Sequence, residues 1–150
     1  MTVPRRTPRP ASGASGYRLL PHTADVQLLV WGPSREACLE QVVRAFAATF
    51  TRAEAATSRE WRSVSIPAGP NEEQLVALID EVLYLIDVDG QVPVAARVRR
   101  LPDGSVTAAF DTVPTTDVRQ TGSVPKAASR HALAFARYHS GWRARVTIDV

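Results

Sequence analysis

Two acidic side chains near opposite ends of the chain, Asp25 and Asp149, have the placement that most suggests chemistry. Asp25 closes the run His22-Thr23-Ala24-Asp25 behind Pro21 and directly precedes the apolar stretch Val26 to Trp31, so it stands where a loop enters a strand. Read alone, such an aspartate is more often a turn former than a metal ligand, and His22 is more often a hydrogen-bonded loop histidine. Asp149 has the same two readings. It adjoins Val150, whose carbonyl and chain-terminal carboxylate would add further oxygen donors. A cation held by carboxylates and carbonyls would be a hard one such as Ca²⁺ or Mg²⁺. Lys126 is the only lysine in a chain with 17 arginines. Lysine is a compact point charge with rotatable donors, whereas arginine is a planar fork that keeps its proton. The position therefore suits a site beside carboxylates or a phosphate oxygen, with chance as the alternative.

Other chemistries find little support. His131 and His139 have no spacing to each other or to His22 that would build a zinc site. There is no Gly-rich phosphate loop, no GxSxG elbow and no Cys and His pair arranged for covalent catalysis. An enzyme would lack its nucleophile. The single cysteine, Cys38, excludes an intramolecular disulfide and a CxxC site. No run approaches the roughly 20 apolar residues of a membrane-spanning helix, and Arg5-Arg6 is followed by no apolar core of an export signal. A soluble, cytoplasmic protein is expected. The net charge of +3 resides in Arg5, Arg6 and Arg9, within an opening segment that has no acid. From Tyr17 onward the chain is formally neutral, which argues against a broad nucleic-acid footprint. Residues 1–16, with Pro4, Pro8, Pro10 and a Ser/Gly run, read as a disordered arm, and 17–150 as a single domain.

The elements that must position these residues are legible in the apolar pattern. A helix opens after Pro33 with Ser34 as N-cap and aligns Leu39, Val42, Val43, Phe46 and Phe50. A second begins at Asn71 with Gln74 three residues later, a capping-box-like start, carries Leu75, Ile79, Val82, Leu83 and Ile86, and ends near Asp89-Gly90. Val26 to Trp31 is apolar on both faces, as in a strand inside a sheet. Val64 and Ile66 mark a shorter strand. Val94, Ala96 and Val98 pair through a Pro102-Asp103-Gly104 turn with Val106, Ala108 and Phe110. Trp31, Trp61 and Trp142 lie in strand patterns, where packing is their commoner use. A second hairpin turns at Ser140-Gly141, between Leu133 and Phe135 on one arm and Trp142, Ala144, Val146 and Ile148 on the other. Two helices on a mixed, mostly antiparallel sheet make a two-layer α+β sandwich.

A two-residue turn at Ser140-Gly141 places Leu133 opposite Ile148 and Phe135 opposite Val146, all on the core face. Asp149 then points outward, with Arg143, Arg145 and Thr147 and across from Ala132, Ala134 and Ala136. Small alanines leave space above that face.

Three segments together resemble one family. Tyr17-Arg18-Leu19-Leu20-Pro21-His22-Thr23-Ala24-Asp25 is similar to the archease opening, an aromatic followed by the HTAD box. Glu81-Val82-Leu83-Tyr84-Leu85-Ile86-Asp87 resembles the family's second helix with its E-x-L-Y-L signature. Gly141 to Val150 resembles its Trp-containing last strand, ending in Asp and an aliphatic residue. The three occur in order and span nearly everything after the arm. Where the family commonly reads K-A-x-T-Y-H, this chain has Lys126-Ala127-Ala128-Ser129-Arg130-His131, which keeps a hydroxyl at Ser129 and loses the aromatic at Arg130.

The resemblance implies a protein cofactor without catalysis of its own, which activates a GTP-dependent RNA ligase in tRNA splicing or RNA repair. That ligase joins RNA ends bearing a 3′-phosphate or cyclic phosphate to 5′-hydroxyl ends, and the activator promotes its guanylylation and turnover. By position, Asp25, Asp149 and the Val150 main chain carry over as ligands of a divalent cation (Ca²⁺, or Mg²⁺ or Mn²⁺). Asp25, Lys126 and Asp149 carry over as the residues essential for activation, and His22, Ser129 and His131 surround them. GTP is used by the ligase, RNA is met only indirectly, and no membrane is involved. The alternatives are an RNA-binding or chaperone-like module using the arm with Arg97, Arg99 and Arg100, and a metal-dependent hydrolase using the same carboxylates.

Overall fold

The apolar stripe behind Pro33 forms α1 (Arg35–Ala48), and Ser34 caps it, its hydroxyl accepting from the Ala37 amide at 3.0 Å. That bond satisfies one of the amides that a helix start leaves unpaired and contributes about 1 kcal/mol. Leu39, Val42, Val43 and Phe46 are buried, and Phe50, just beyond the helix, meets Phe46 edge-on. The single thiol, Cys38, is buried in the same helix, and burial pushes it up to about 12, which makes it inert.

The second stripe forms α2 (Asn71–Asp87) and buries Leu75, Ile79, Val82, Leu83 and Ile86. Its start departs from the expected capping box. Pro70 occupies the N-cap, with no side chain capping the turn. With Pro70 as N-cap, Gln74 falls one residue past the capping-box position, and proline has no amide to donate to a capping-box side chain. Gln74 is instead buried and donates to the carbonyls of Pro67 and Gly104 at 3.0 and 3.3 Å, while Asn71 accepts from Arg35 Nε at 3.0 Å. No helix among the described residues is long and apolar enough to cross a membrane.

The computed structural model describes residues 14–21, 24–53 and 59–150. Its strands are β1 (Gly16–Pro21), β2 (Asp25–Gly32), β3 (Thr51–Ala53), β4 (Glu60–Ile66), β5 (Gln91–Arg100), β6 (Val106–Pro114), β7 (Val118–Gln120), β8 (Ala127–Tyr138) and β9 (Gly141–Asp149). The sheet resolves into three parts, with strand orders β1-β2-β9-β8, β4-β6-β5 and β3-β7. Every pairing among the described residues is antiparallel. α1 lies against β2 and β5, and α2 against β8 and β5, so each helix touches both larger sheets. The result is the expected α+β architecture of two helices on antiparallel strands. One face of the four-stranded sheet delivers Leu28, Val30, Phe135, Ala144, Val146 and Ile148 to the core. Gly16, assigned by composition to the arm, is the first residue of β1, where a Cβ would come within 2.6 Å of the Trp31 ring.

The last hairpin differs from the expectation in its turn. Tyr138 pairs with Gly141, so His139 and Ser140 make the turn, with His139 at φ 54°. Gly141 is needed for a different reason: a Cβ there would sit 2.7 Å from the Gly32 carbonyl, so it serves a close strand approach. Moving the turn by one residue shifts each cross-strand partner by two, and Phe135 faces Ala144 instead of Val146. A shift of two preserves the faces, so Asp149 still points away from the core. Further along, the register breaks between Ser129 and Ala134, with Ala132 at φ 57°. Beyond this bulge Ala127 pairs with Asp149, Ala128 with Ile148 and Ser129 with Thr147. Leu133 therefore does not face Ile148, because the irregular segment absorbs the residues in between.

Candidate metal centre at the strand ends

Asp25 is the first residue of β2 and Asp149 the last of β9, and the antiparallel register makes them direct cross-strand partners. Side chains so paired stand about 4.5–5.5 Å apart at Cβ, and two like charges in that relation repel. Neither carboxylate forms an ion pair among the described residues. Asp25 is half-buried and Asp149 exposed. Ala127 extends the row on the other side of Asp149, and Lys126 immediately precedes it. The Lys126 amide donates to the Asp149 carbonyl at 2.8 Å, and the Val150 amide donates to the Ala24 carbonyl at 3.3 Å. These two bonds carry the ladder one step past the strands. They fix the main chain of Lys126, Asp149 and Val150 beside Asp25. The lysine side chain is exposed, without an ion pair among the described residues.

The bulge in β8 brings the other sequence candidates to this end. Ser129 faces Thr147, and its hydroxyl accepts from the His131 amide at 3.1 Å. His131 then lines an open recess with Leu20, Pro21, Asp25, Gln27 and Thr147. Arg130, where the family commonly has an aromatic, instead ties the bulge to α2. Its guanidinium reaches both Glu73 oxygens, at 2.6 and 3.3 Å. The hydrogen bond from Arg130, with its charge, holds the Glu73 carboxyl below the usual glutamate range. His22 lies outside the described residues.

Asp25, Lys126, Ser129, His131, Asp149 and Val150 thus converge on one end of the four-stranded sheet. The expected exposed arginines Arg97, Arg99 and Arg100 lie elsewhere, on β5 of the other sheet. Among the described residues no group of three or more His, Cys, Asp or Glu side chains is arranged to hold a metal. The donor set at the strand ends is two carboxylates plus main-chain oxygen, which is hard-cation chemistry with an incomplete shell. Gln27 was missed by the sequence reading, although period-two parity from Asp25 places it on this face beside Thr147, which the sequence had already set next to Asp149.

Comparison with known proteins places this arrangement in context. Residues 17–150 match the model of the Archease protein family. The chain is 39% identical over 137 residues to the "probable protein archease" of Mycobacterium tuberculosis, covering 91% of this chain and 76% of that protein. It is 25% identical over 139 residues to the protein archease of Methanosarcina mazei, covering 89% of this chain and 95% of the relative. In fold it is similar to the crystal structure of an archease from Thermotoga maritima, with a TM-score of 0.66 at 19% identity, covering 97% of this chain and 99% of that one. It is also similar to the solution structure of protein 1598 of Methanobacterium thermoautotrophicum, with a TM-score of 0.64 at 17% identity, covering 90% and 99% of the two chains.

Proposed function

The chain belongs to the archease family, and on that premise we propose that it is a cytoplasmic accessory protein, not itself an enzyme, that activates a GTP-dependent RNA ligase in tRNA splicing or RNA repair. The observation that carries this reading is the pairing of Asp25 with Asp149 at the strand ends, with the Lys126 amide bonded to the Asp149 carbonyl. Two carboxylates facing each other without a cation destabilise the fold locally. Such a pair is therefore better explained by a ligand than by packing.

In this reading Asp25, Asp149 and the Val150 main chain hold a divalent cation, Ca²⁺, Mg²⁺ or Mn²⁺. Hard cations take about 6–8 oxygen ligands, or near-octahedral coordination with several waters for Mg²⁺, so these groups leave positions for water, phosphate or the ligase itself. The cation, when bound, supplies concentrated positive charge for phosphate oxygens. Lys126 adds a compact ammonium beside the carboxylates and steers phosphate. His131 borders the recess and orients what enters it, Ser129 holds the His131 amide through its hydroxyl, and His22 is the remaining candidate neighbour.

The test is ligase guanylylation by GTP in the presence of this protein. Asp25→Ala, Lys126→Ala and Asp149→Ala are each expected to lower the rate and turnover of guanylylation. Removal of residues 1–13, which leaves β1 whole, is expected to leave both unchanged. Undiminished activation by all three substituted proteins overturns the assignment, and loss of activation on removing the arm favours an RNA-binding module instead.

A further inference from the structure

The face of the four-stranded sheet that carries Asp25 and Asp149 also carries Arg143 and Arg145, partners of Trp31 and Leu29. Two residues apart on β9, they rise from the same side about 6.6 Å apart along the strand. Neither has a carboxylate within 4.0 Å among the described residues. Both are nevertheless positioned. The Arg143 guanidinium lies 4.0 Å over the centre of the Tyr138 ring, and Arg145 Nε donates to the Ala132 carbonyl at 2.9 Å. A ring and a carbonyl orient a guanidinium without neutralising it, and the Nε contact leaves the terminal nitrogens of Arg145 free to donate. Two like charges are thus held together with their mutual repulsion uncompensated.

Across β8 their partners are Ala136 and Ala134, which leave room above the sheet. A recess of about 190 Å³ opens there, lined by Gln27, Leu29, Ala134, Arg143, Ala144 and Arg145. That is the space of roughly six waters at about 30 Å³ each, enough for one oxyanion with its hydration. It falls below the ~300 Å³ at which sites for whole small molecules begin. Gln27 also lines the recess of Asp25 and His131, so the two adjoin. Guanidinium forks match phosphate oxygens in pairs, and two uncompensated positive charges match a dianion.

We propose that this recess binds a phosphate monoester, with Arg143 and Arg145 as its ligands and Gln27 as a hydrogen-bonding neighbour shared with the carboxylate end. The phosphate can be borne by a free nucleotide or by an RNA 3′ end. The site goes beyond ligase activation and does not require it: a chain that activated no ligase would still bind phosphate here.

The test is an NMR titration of arginine Nε–Hε signals with inorganic phosphate at constant ionic strength, with chloride replaced as phosphate is added. Saturating shifts are expected at Arg143 and Arg145, and none at Arg99 on the other sheet. Arg143→Gln leaves the Arg145 contact to Ala132 in place, and it is expected to weaken phosphate binding about ten-fold. Two further arms identify the source: guanosine monophosphate, and a short RNA with a 3′-phosphate compared with its 3′-hydroxyl form. Both phosphate monoesters are expected to displace inorganic phosphate, the tighter of them being the preferred source. Shifts that never saturate, equal shifts at Arg99, unchanged affinity in Arg143→Gln, or equal binding of the 3′-hydroxyl RNA would each overturn the proposal.

Discussion

The two faces of β2 and β9 are built from alternate residues of the same strands, yet they follow opposite rules. On the covered face Leu28 and Val30 meet Val146 and Ala144, all at most 1% exposed. On the open face Asp25, Gln27 and Leu29 meet Asp149, Thr147 and Arg145, with carboxylates at one end and guanidinia further along. Burial of apolar area stabilises the first face by about 25 cal/mol per Å². The second face places like charges next to one another, which opposes folding. Stability and chemistry are therefore divided by a period of two. Substitutions on the two faces should separate cleanly.

The largest effect belongs to the covered face. Phe135 is buried, edge-on to the Trp142 ring at 5.4 Å and beneath the Arg35 guanidinium at 5.2 Å. Phe135→Ala is expected to cost about 3–5 kcal/mol in urea unfolding. On the open face the sign reverses. Asp149→Asn removes the like-charge opposition to Asp25, so without divalent cations it should stabilise by about 0.2–1 kcal/mol. A loss of stability comparable to that of Phe135→Ala would break the division.

The smallest effect concerns the contact that joins β8 to α2. Because Arg130 lowers the Glu73 carboxyl pKa in the fold, the contribution of that pair is present above the ordinary glutamate value and is lost as pH falls through the lowered one. Glu73 should titrate below the glutamate range by NMR and return to it in Arg130→Ala. An unchanged titration would mean that the guanidinium does not hold it.

Sequence was most informative wherever a periodic apolar stripe met a capping or turn residue, as at Ser34 and along Leu75 to Ile86. It also placed Asp149 on the open face, although through a turn set one residue off. The face survived that error because parity, not exact register, decides it. Less legible were features fixed by contacts remote in sequence. Gly141 looked like a turn glycine, whereas the Gly32 carbonyl across the sheet requires it. The bulge at residues 130–133 leaves no periodic mark, yet it turns His131 toward the recess of Asp25. The pairing of Asp25 with Asp149 spans nearly the whole chain, and no local pattern encodes a strand order of β1-β2-β9-β8. There residue type and strand-end position singled out Asp25, Asp149 and Lys126, and the resemblance to a known family joined them into one site.

The most direct measurement is an Mn²⁺ titration followed by paramagnetic broadening of backbone amide signals. The account predicts that signals of Ala24 to Val26, Lys126 to Ser129 and Ile148 to Val150 broaden first, and that Asp25→Asn with Asp149→Asn abolishes the effect without altering the fold. Broadening centred elsewhere, for example on Glu72 and Glu73 or on Asp87 and Asp89, or broadening unchanged in the doubly substituted protein, would contradict it.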